Sequence, residues 1–229
     1  MLRPRCHGIL RIMKSEIRIL MADDHPVYRE GLRQIISRDP VMRILQETGS
    51  GTEALKLARE LRPDIALLDM DMPGMNGLDV ARARAKQQLA FDIIFLTMYR
   101  EEDMFNEAMD LGAKGYVLKD SAAGEILQSI RAVAAGEYYI SPAISGFLVK
   151  RTTRSGASRS EAAGLDGLTQ AERRILKLIA SDRTSKEIAE ELGLSPRTVE
   201  NHRTNMSAKL GLQGSHSLLK FAFDNKKRL

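Results

Sequence analysis

The sequence predicts two domains: a doubly wound α/β domain on a five-stranded parallel sheet, then an all-α domain of four helices. Three observations carry this reading. Residues 16–136 alternate short apolar runs with amphipathic stretches, five times over. Those runs are continuous rather than alternating, as in parallel strands covered on both faces. After Leu168 the runs give way to helical periodicity alone. The 229 residues suffice for two domains, and 43% hydrophobic content supplies their cores.

Taken in order, strands are expected over 17–21, 43–47, 65–68, 93–97 and 115–118. Helices are expected over 26–37, 51–61, 78–88, 102–111 and 122–135. Pro26 sits where a first-turn proline is tolerated, and Gly112 and Gly136 follow periodic runs as C-terminal caps. Five βα units wind a sheet with helices on both faces. Beyond Gly136 the pattern weakens, and residues 137–167 are read as a linker. Its latter part, RTTRSGASRSEAAGLDG, is rich in Ser, Gly, Ala and Arg without an apolar period. Residues 138–150 are left as either a cap on the first domain or a helix leading out of it. Over 168–229, helices are expected at 170–180, 185–192, 196–210 and 215–225. Thr169 and Ser195 are N-cap candidates, with Pro196 at N1. Gly193 supplies a tight turn between the second and third, which is helix-turn-helix grammar.

Charge divides the same way. Residues 16–136 hold 15 basic and 20 acidic side chains; residues 168–229 hold 12 basic and 7 acidic. An acidic front and a basic back suggest a control domain and a polyanion-binding domain. The single cysteine, Cys6, excludes an intramolecular disulfide and suits a reducing cytoplasm. No run approaches the ~20 apolar residues of a membrane span. Met1–Lys14 is basic and reads as a disordered extension, with Met13 as an alternative start.

Carboxyl ends of parallel strands line one crevice, where ligands bind. Asp23 and Asp24 end the first apolar run and Asp69 ends the third. Acidic side chains crowded there call for a divalent cation among them. Thr97 and Lys119 stand at two more strand ends. A hydroxyl and an ammonium beside a metal-binding carboxylate cluster are what phosphoryl transfer needs. A carboxylate can act as nucleophile and form an acyl phosphate. His25 lacks ligand partners at sensible spacing and is given a local structural role.

The segments ADDHPVYREGL, DIALLDMDMPGMNGLD, IIFLTMY and GAKGYVLKD resemble response-regulator receiver domains, a flavodoxin-like fold, over residues 16–136. The resemblance implies that Asp69 is the phospho-acceptor. It implies that Asp23 and Asp24 hold Mg²⁺, with the backbone carbonyl of Asp71 as a further ligand. Thr97 and Lys119 would contact the phosphoryl group, and Tyr116 matches the aromatic switch position. The segment LTQAERRILKLIASDRTSKEIAEELGLSPRTVENHRTNMSAKLGL resembles the LuxR-type helix-turn-helix domain over 168–229. Together the halves resemble NarL/FixJ-type two-component regulators.

On the third helix of the back half, Val199, Met206 and Leu210 mark the buried side. Arg197, Asn201, Arg203, Thr204 and Ser207 are expected outside. Asn201 and Thr204, with Glu200, are the candidates for base readout in double-stranded DNA. Lys186, Arg197, Arg203 and Lys209 are the candidates for phosphate contacts. Gln170-Ala171-Glu172 replaces the family's frequent Pro-Arg-Glu, and Glu200 stands where a basic residue often does. Leu218, Leu219 and Ala222 are candidate homodimer contacts. The expected function is a transcription regulator controlled by phosphorylation from a sensor histidine kinase, rather than an enzyme. Two alternatives stand beside it. Asp69-Met70-Asp71 also resembles the Asp-x-Asp motif of dehalogenase-type phosphatases, which leaves Asp23-Asp24 and the basic half without a role. A phospho-independent DNA-binding regulator is the other.

Overall fold

The structure, a computed structural model, describes residues 16–154, 164–168, 170–192, 194, 196–212, 214 and 217–228. The expected caps Thr169 and Ser195 and the turn residue Gly193 lie outside these. The chain divides into two compact units. One runs to Tyr99 and resumes over Ala108–Ile144; the other comprises Arg100–Glu107 and Ser145–Leu229.

The first half runs β1 (Ile17–Ala22), α1 (Pro26–Ile36), β2 (Met42–Thr48), α2 (Gly51–Leu61), β3 (Ile65–Asp69) and α3 (Gly77–Lys86). It continues β4 (Asp92–Thr97), α4 (Glu102–Asp110), β5 (Gly115–Leu118), α5 (Ala122–Ala134) and β6 (Tyr139–Ile140). All strand pairs are parallel, in the order β2-β1-β3-β4-β5-β6. The strand order reverses between β2 and β3 around β1, which opens the crevice at the carboxyl ends. Ala22 pairs with Leu68, Asp69 with Leu96 and Thr97 with Leu118, so the strand ends are level.

Local chemistry sets the helix starts. Pro26 occupies the first turn of α1, as expected, and its cap position is held by His25. Ser50 caps α2 by accepting from the Glu53 amide. Asn76 and Asp79 form a reciprocal capping box on α3. Gly112 and Gly136 take positive φ after α4 and α5. Ile19, Met21, Leu67, Ile94, Leu96 and Val117 pack with Leu32 and Ile36 of α1 and Ile126, Ile130 and Val133 of α5.

Two departures concern residues read as linker. β6 adds a sixth strand to the expected five. Ser141, fully buried, fixes it: its amide donates to the Tyr116 carbonyl at 2.9 Å. The Leu118 amide donates to Ser141 Oγ at 3.0 Å, and Ser141 Oγ donates to Glu125. A helix follows, α6 (Gly146–Arg154). Residues 138–150 thus do both things the sequence left open, while 155–163 lie outside the described residues. Ser141→Ala strands the buried Leu118 amide and is expected to cost about 1–3 kcal/mol; urea unfolding measures it, and an unchanged midpoint contradicts it.

The back half holds α7 (Gln170–Ile179), α8 (Ser185–Leu192), α9 (Pro196–Lys209) and α10 (Ser217–Asp224). Thr184 and Glu187 form the capping box of α8. Ile175, Leu176, Ile179, Ile188, Val199 and Met206 are its core. Leu218 and Ala222 belong to that same core, and Leu219 packs against it. Leu219 keeps part of its surface outside that core. Phe223, 45% exposed, is the large apolar side chain α10 leaves outside. No helix among the described residues is long and apolar enough to cross a membrane.

Candidate functional site

Four strand ends deliver the site. Asp23 follows β1 fully buried, and the His25 amide donates to its Oδ1 at 2.8 Å. Asp69 ends β3 with 2% exposure, and the Asp71 amide donates to its Oδ1 at 3.1 Å. Lys119 follows β5, where its backbone amide donates to the Thr97 carbonyl at 2.8 Å. Its ammonium lies 2.8 Å from Asp23 Oδ2 and 2.7 Å from Asp69 Oδ2. Thr97 ends β4, buried, its Oγ1 accepting from the Tyr99 amide at 2.9 Å.

Three side chains that sequence reasoning missed complete the arrangement. His25, 63% exposed at its side chain, brings Nδ1 to 2.9 Å from Asp24 Oδ1 and 3.2 Å from Asp23 Oδ1. The ring thus faces the carboxylates, while the residue stands at the N-cap position of α1 without a side-chain cap bond. Tyr28 lies under Lys119, its ring centroid 5.0 Å from the ammonium. Burial, and then the charge of Asp23, raise the Tyr28 hydroxyl pKa and keep it protonated. Tyr99 donates its hydroxyl to Asp71 Oδ2. The Asp71 carboxylate is therefore directed to Tyr99. Tyr116 is fully buried and donates to the Tyr99 carbonyl at 3.3 Å. No local sequence pattern distinguishes Tyr28 or Tyr99; the first turn of α1 carries Tyr28, and the turn after Thr97 carries Tyr99.

One oxygen each of Asp23, Asp24 and Asp69, with His25 Nδ1, lie within 4.8 Å of one another. Three carboxylates converging in a buried pocket suit a small, hard, oxygen-seeking cation. Receiver domains bind Mg²⁺ at such an acidic pocket, and these residues fit it.

Burial, then the charge of Asp23, pushes Asp69 up to about 7, against the opposing pull of Lys119. A carboxylate raised in the folded state costs stability as pH climbs from its unfolded pKa to its folded one. In chelator, wild type is therefore expected to lose stability relative to Asp69→Asn between about pH 4 and 7. Above that window the difference is constant. Melting both proteins across pH in EDTA checks this; parallel curves contradict it.

In the back half, α9 exposes Glu200 and Thr204, with Asn201, Arg203 and Ser207 partly exposed. Thr204 Oγ1 donates to the Glu200 carbonyl at 3.1 Å. Thr198, His202 and Asn205 share that helix but are buried. Val199 and Met206 are buried as expected, and Leu210 packs against the core. Lys186 is exposed on α8; the side chain of Arg197 lies outside the described residues.

The family model for the response regulator receiver domain matches residues 19–131. That for bacterial regulatory proteins of the luxR family matches residues 166–222. The transcriptional regulatory protein LiaR of Bacillus subtilis is 35% identical, over 91% of this chain and 98% of its own. The nitrate/nitrite response regulator protein NarL of Escherichia coli K12 is 36% identical, over 85% and 89%. The chain belongs to the NarL/FixJ family of response regulators.

Solved structures agree with this membership. A LuxR-family two-component response regulator from Aurantimonas sp. SI85-9A1 is 36% identical, covering 61% of this chain and 99% of its own, at TM-score 0.56. RcsB of Salmonella enterica serovar Typhimurium, solved bound to a promoter, shares the fold at TM-score 0.59 and 23% identity, covering 90% and 97%. The regulator joins a receiver domain to a LuxR-type DNA-binding domain, which makes it a transcription regulator of the two-component class.

In this regulator Lys209, a candidate for a phosphate contact, sets its ammonium 2.8 and 3.0 Å from the carboxylate oxygens of Glu172. Glu172 is buried, and Lys209 is 32% exposed at its side chain. Removing the partner of a buried charge is costly. Lys209→Met is expected to destabilise the domain by about 2–3 kcal/mol, a value reduced for the exposure of the lysine. Thermal unfolding reads this. A full-strength fold with weaker DNA binding would contradict it and support the phosphate contact.

Proposed function

We propose that a sensor histidine kinase places a phosphoryl group on Asp69 in the cytoplasm, and that this controls binding of the regulator to promoter DNA as a homodimer. The observation that carries the reading is a buried Asp69 carboxylate held 2.7 Å from the Lys119 ammonium, with Asp23 on the same lysine. An oxygen of ionised Asp69 bonds to phosphorus. The bond from phosphorus to the donor imidazole nitrogen breaks, and its electron pair leaves with the imidazole. Lys119 neutralises one phosphoryl oxygen. Thr97 donates its hydroxyl proton to another, its oxygen already accepting from Tyr99. Mg²⁺, held by Asp23, Asp24, Asp69 and residue 71, would supply the remaining positive charge at the phosphoryl oxygens.

The new charge alters Thr97 and, through Tyr99 and Tyr116, the end of β5. Asn201, Thr204 and Glu200 are then the candidates for base contacts, and Lys186, Arg197, Arg203 and Lys209 for phosphates. The alternative phosphatase reading wants Asp71 as a proton carrier beside Asp69. The Asp71 carboxylate is engaged by Tyr99 instead, which favours the regulator.

The test compares DNA binding with and without a small phosphodonor, in wild type and Asp69→Ala. Tighter binding only by phosphorylated wild type supports phospho-control. Equal binding by both proteins under both conditions refutes it and favours a phospho-independent regulator.

A further inference from the structure

Tyr99 is hydrogen-bonded to the end of β4, to β5 and to the loop after β3. Its amide donates to Thr97 Oγ1 at 2.9 Å. Its carbonyl accepts from the buried Tyr116 hydroxyl at 3.3 Å. Its own hydroxyl donates to Asp71 Oδ2, and the Asp71 amide in turn donates to Asp69 Oδ1 at 3.1 Å. Tyr99 is buried and Asp71 partly buried, and a hydrogen bond from a hydroxyl to a carboxylate is charge-assisted and so stronger than a neutral one. The chain from Tyr99 through Asp71 ends on the oxygen of Asp69 that the amide orients. The chain through Tyr116 ends in the core beside β5.

We infer that Tyr99 is a positioning residue: its hydroxyl holds Asp71, and through it the Asp69 carboxylate, and ties that carboxylate to the ring of Tyr116. Divalent-cation binding at Asp69 is therefore felt at Tyr116 before any phosphoryl group arrives. The inference rests on the proposed reading of the carboxylate cluster as a Mg²⁺ site.

The experiment uses the full chain, wild type and Tyr99→Phe, with Mg²⁺ alone as probe. Phe keeps the ring in its buried place and deletes only the hydroxyl. Calorimetry gives the Mg²⁺ affinity, and NMR of labelled tyrosine follows the Tyr116 ring. Thermal melting without metal confirms that the variant is folded. The expected result is a roughly three- to tenfold weaker Mg²⁺ affinity in Tyr99→Phe, the scale of one charge-assisted hydrogen bond partly transmitted. The Tyr116 signal should shift on Mg²⁺ addition in wild type and stay still in the variant. Asp71→Ala should lose the same response, and adding Tyr99→Phe to it should change nothing more. Equal affinity and equal Tyr116 shifts in wild type and Tyr99→Phe overturn the inference while leaving the Mg²⁺ reading intact. A wild type that binds no Mg²⁺ overturns both.

Discussion

Asp69→Asn is expected to form no acyl phosphate at all, from either a kinase or a small phosphodonor. An amide nitrogen is not a nucleophile toward phosphorus at neutral pH, and the amide oxygen lacks the charge that attacks. The loss should be complete because the other carboxylates are badly placed to substitute. Asp23 is fully buried, with one oxygen on the His25 amide and the other on Lys119. The variant should nonetheless fold. In metal-free buffer it should be the more stable protein, since Asn removes one of the carboxylates that burial and mutual repulsion oppose. Intact-mass measurement after phosphodonor treatment decides the matter. One phosphoryl increment in wild type and none in Asp69→Asn is expected; a persistent increment would move the acceptor elsewhere.

Gly77→Ala is expected to damage fold and phosphorylation together. A Cβ at position 77 would stand 2.3 Å from the backbone oxygen of Asp69 and 3.1 Å from the Met70 Cα. Those are main-chain atoms that cannot rotate aside. The Gly77 amide also donates to the Met70 carbonyl at 3.2 Å, so β3 and the start of α3 are pressed together there. A methyl group must drive them apart and swing the Asp69 side chain with them. Overpacking of this kind costs about 1–3 kcal/mol, at times more. Urea unfolding and acyl phosphate yield should both fall. Wild-type values for both would mean that the loop between Asp69 and Gly77 yields freely.

The receiver half was legible because its chemistry sits at strand ends. Continuous apolar runs announce the strands, and Asp23, Asp69, Thr97 and Lys119 each stop or follow one. What was hidden depends on side chains arriving from loops. Tyr99 and His25 reach the site through turn geometry that no period records. β6 is only two residues long, too short for any pattern, and it is defined by Ser141 rather than by hydrophobicity. In the back half, α9 carries Thr198, His202 and Asn205 inward. A polar-outside rule reads that helix with too wide an exposed face. The pairing of Lys209 with Glu172 was not legible because the two residues come from different helices.

The short strand β6 also decides where the first half of this protein can be separated from the rest. A receiver ended at Gly136, where the apolar pattern stops, would strip the ladder partner from Gly115 and Tyr116 and the side-chain acceptor from Leu118. Its β5 would become an open edge carrying Tyr116, ready to recruit a foreign strand. A cut after Ile144, the last residue of the first compact unit, keeps Ser141 on that edge.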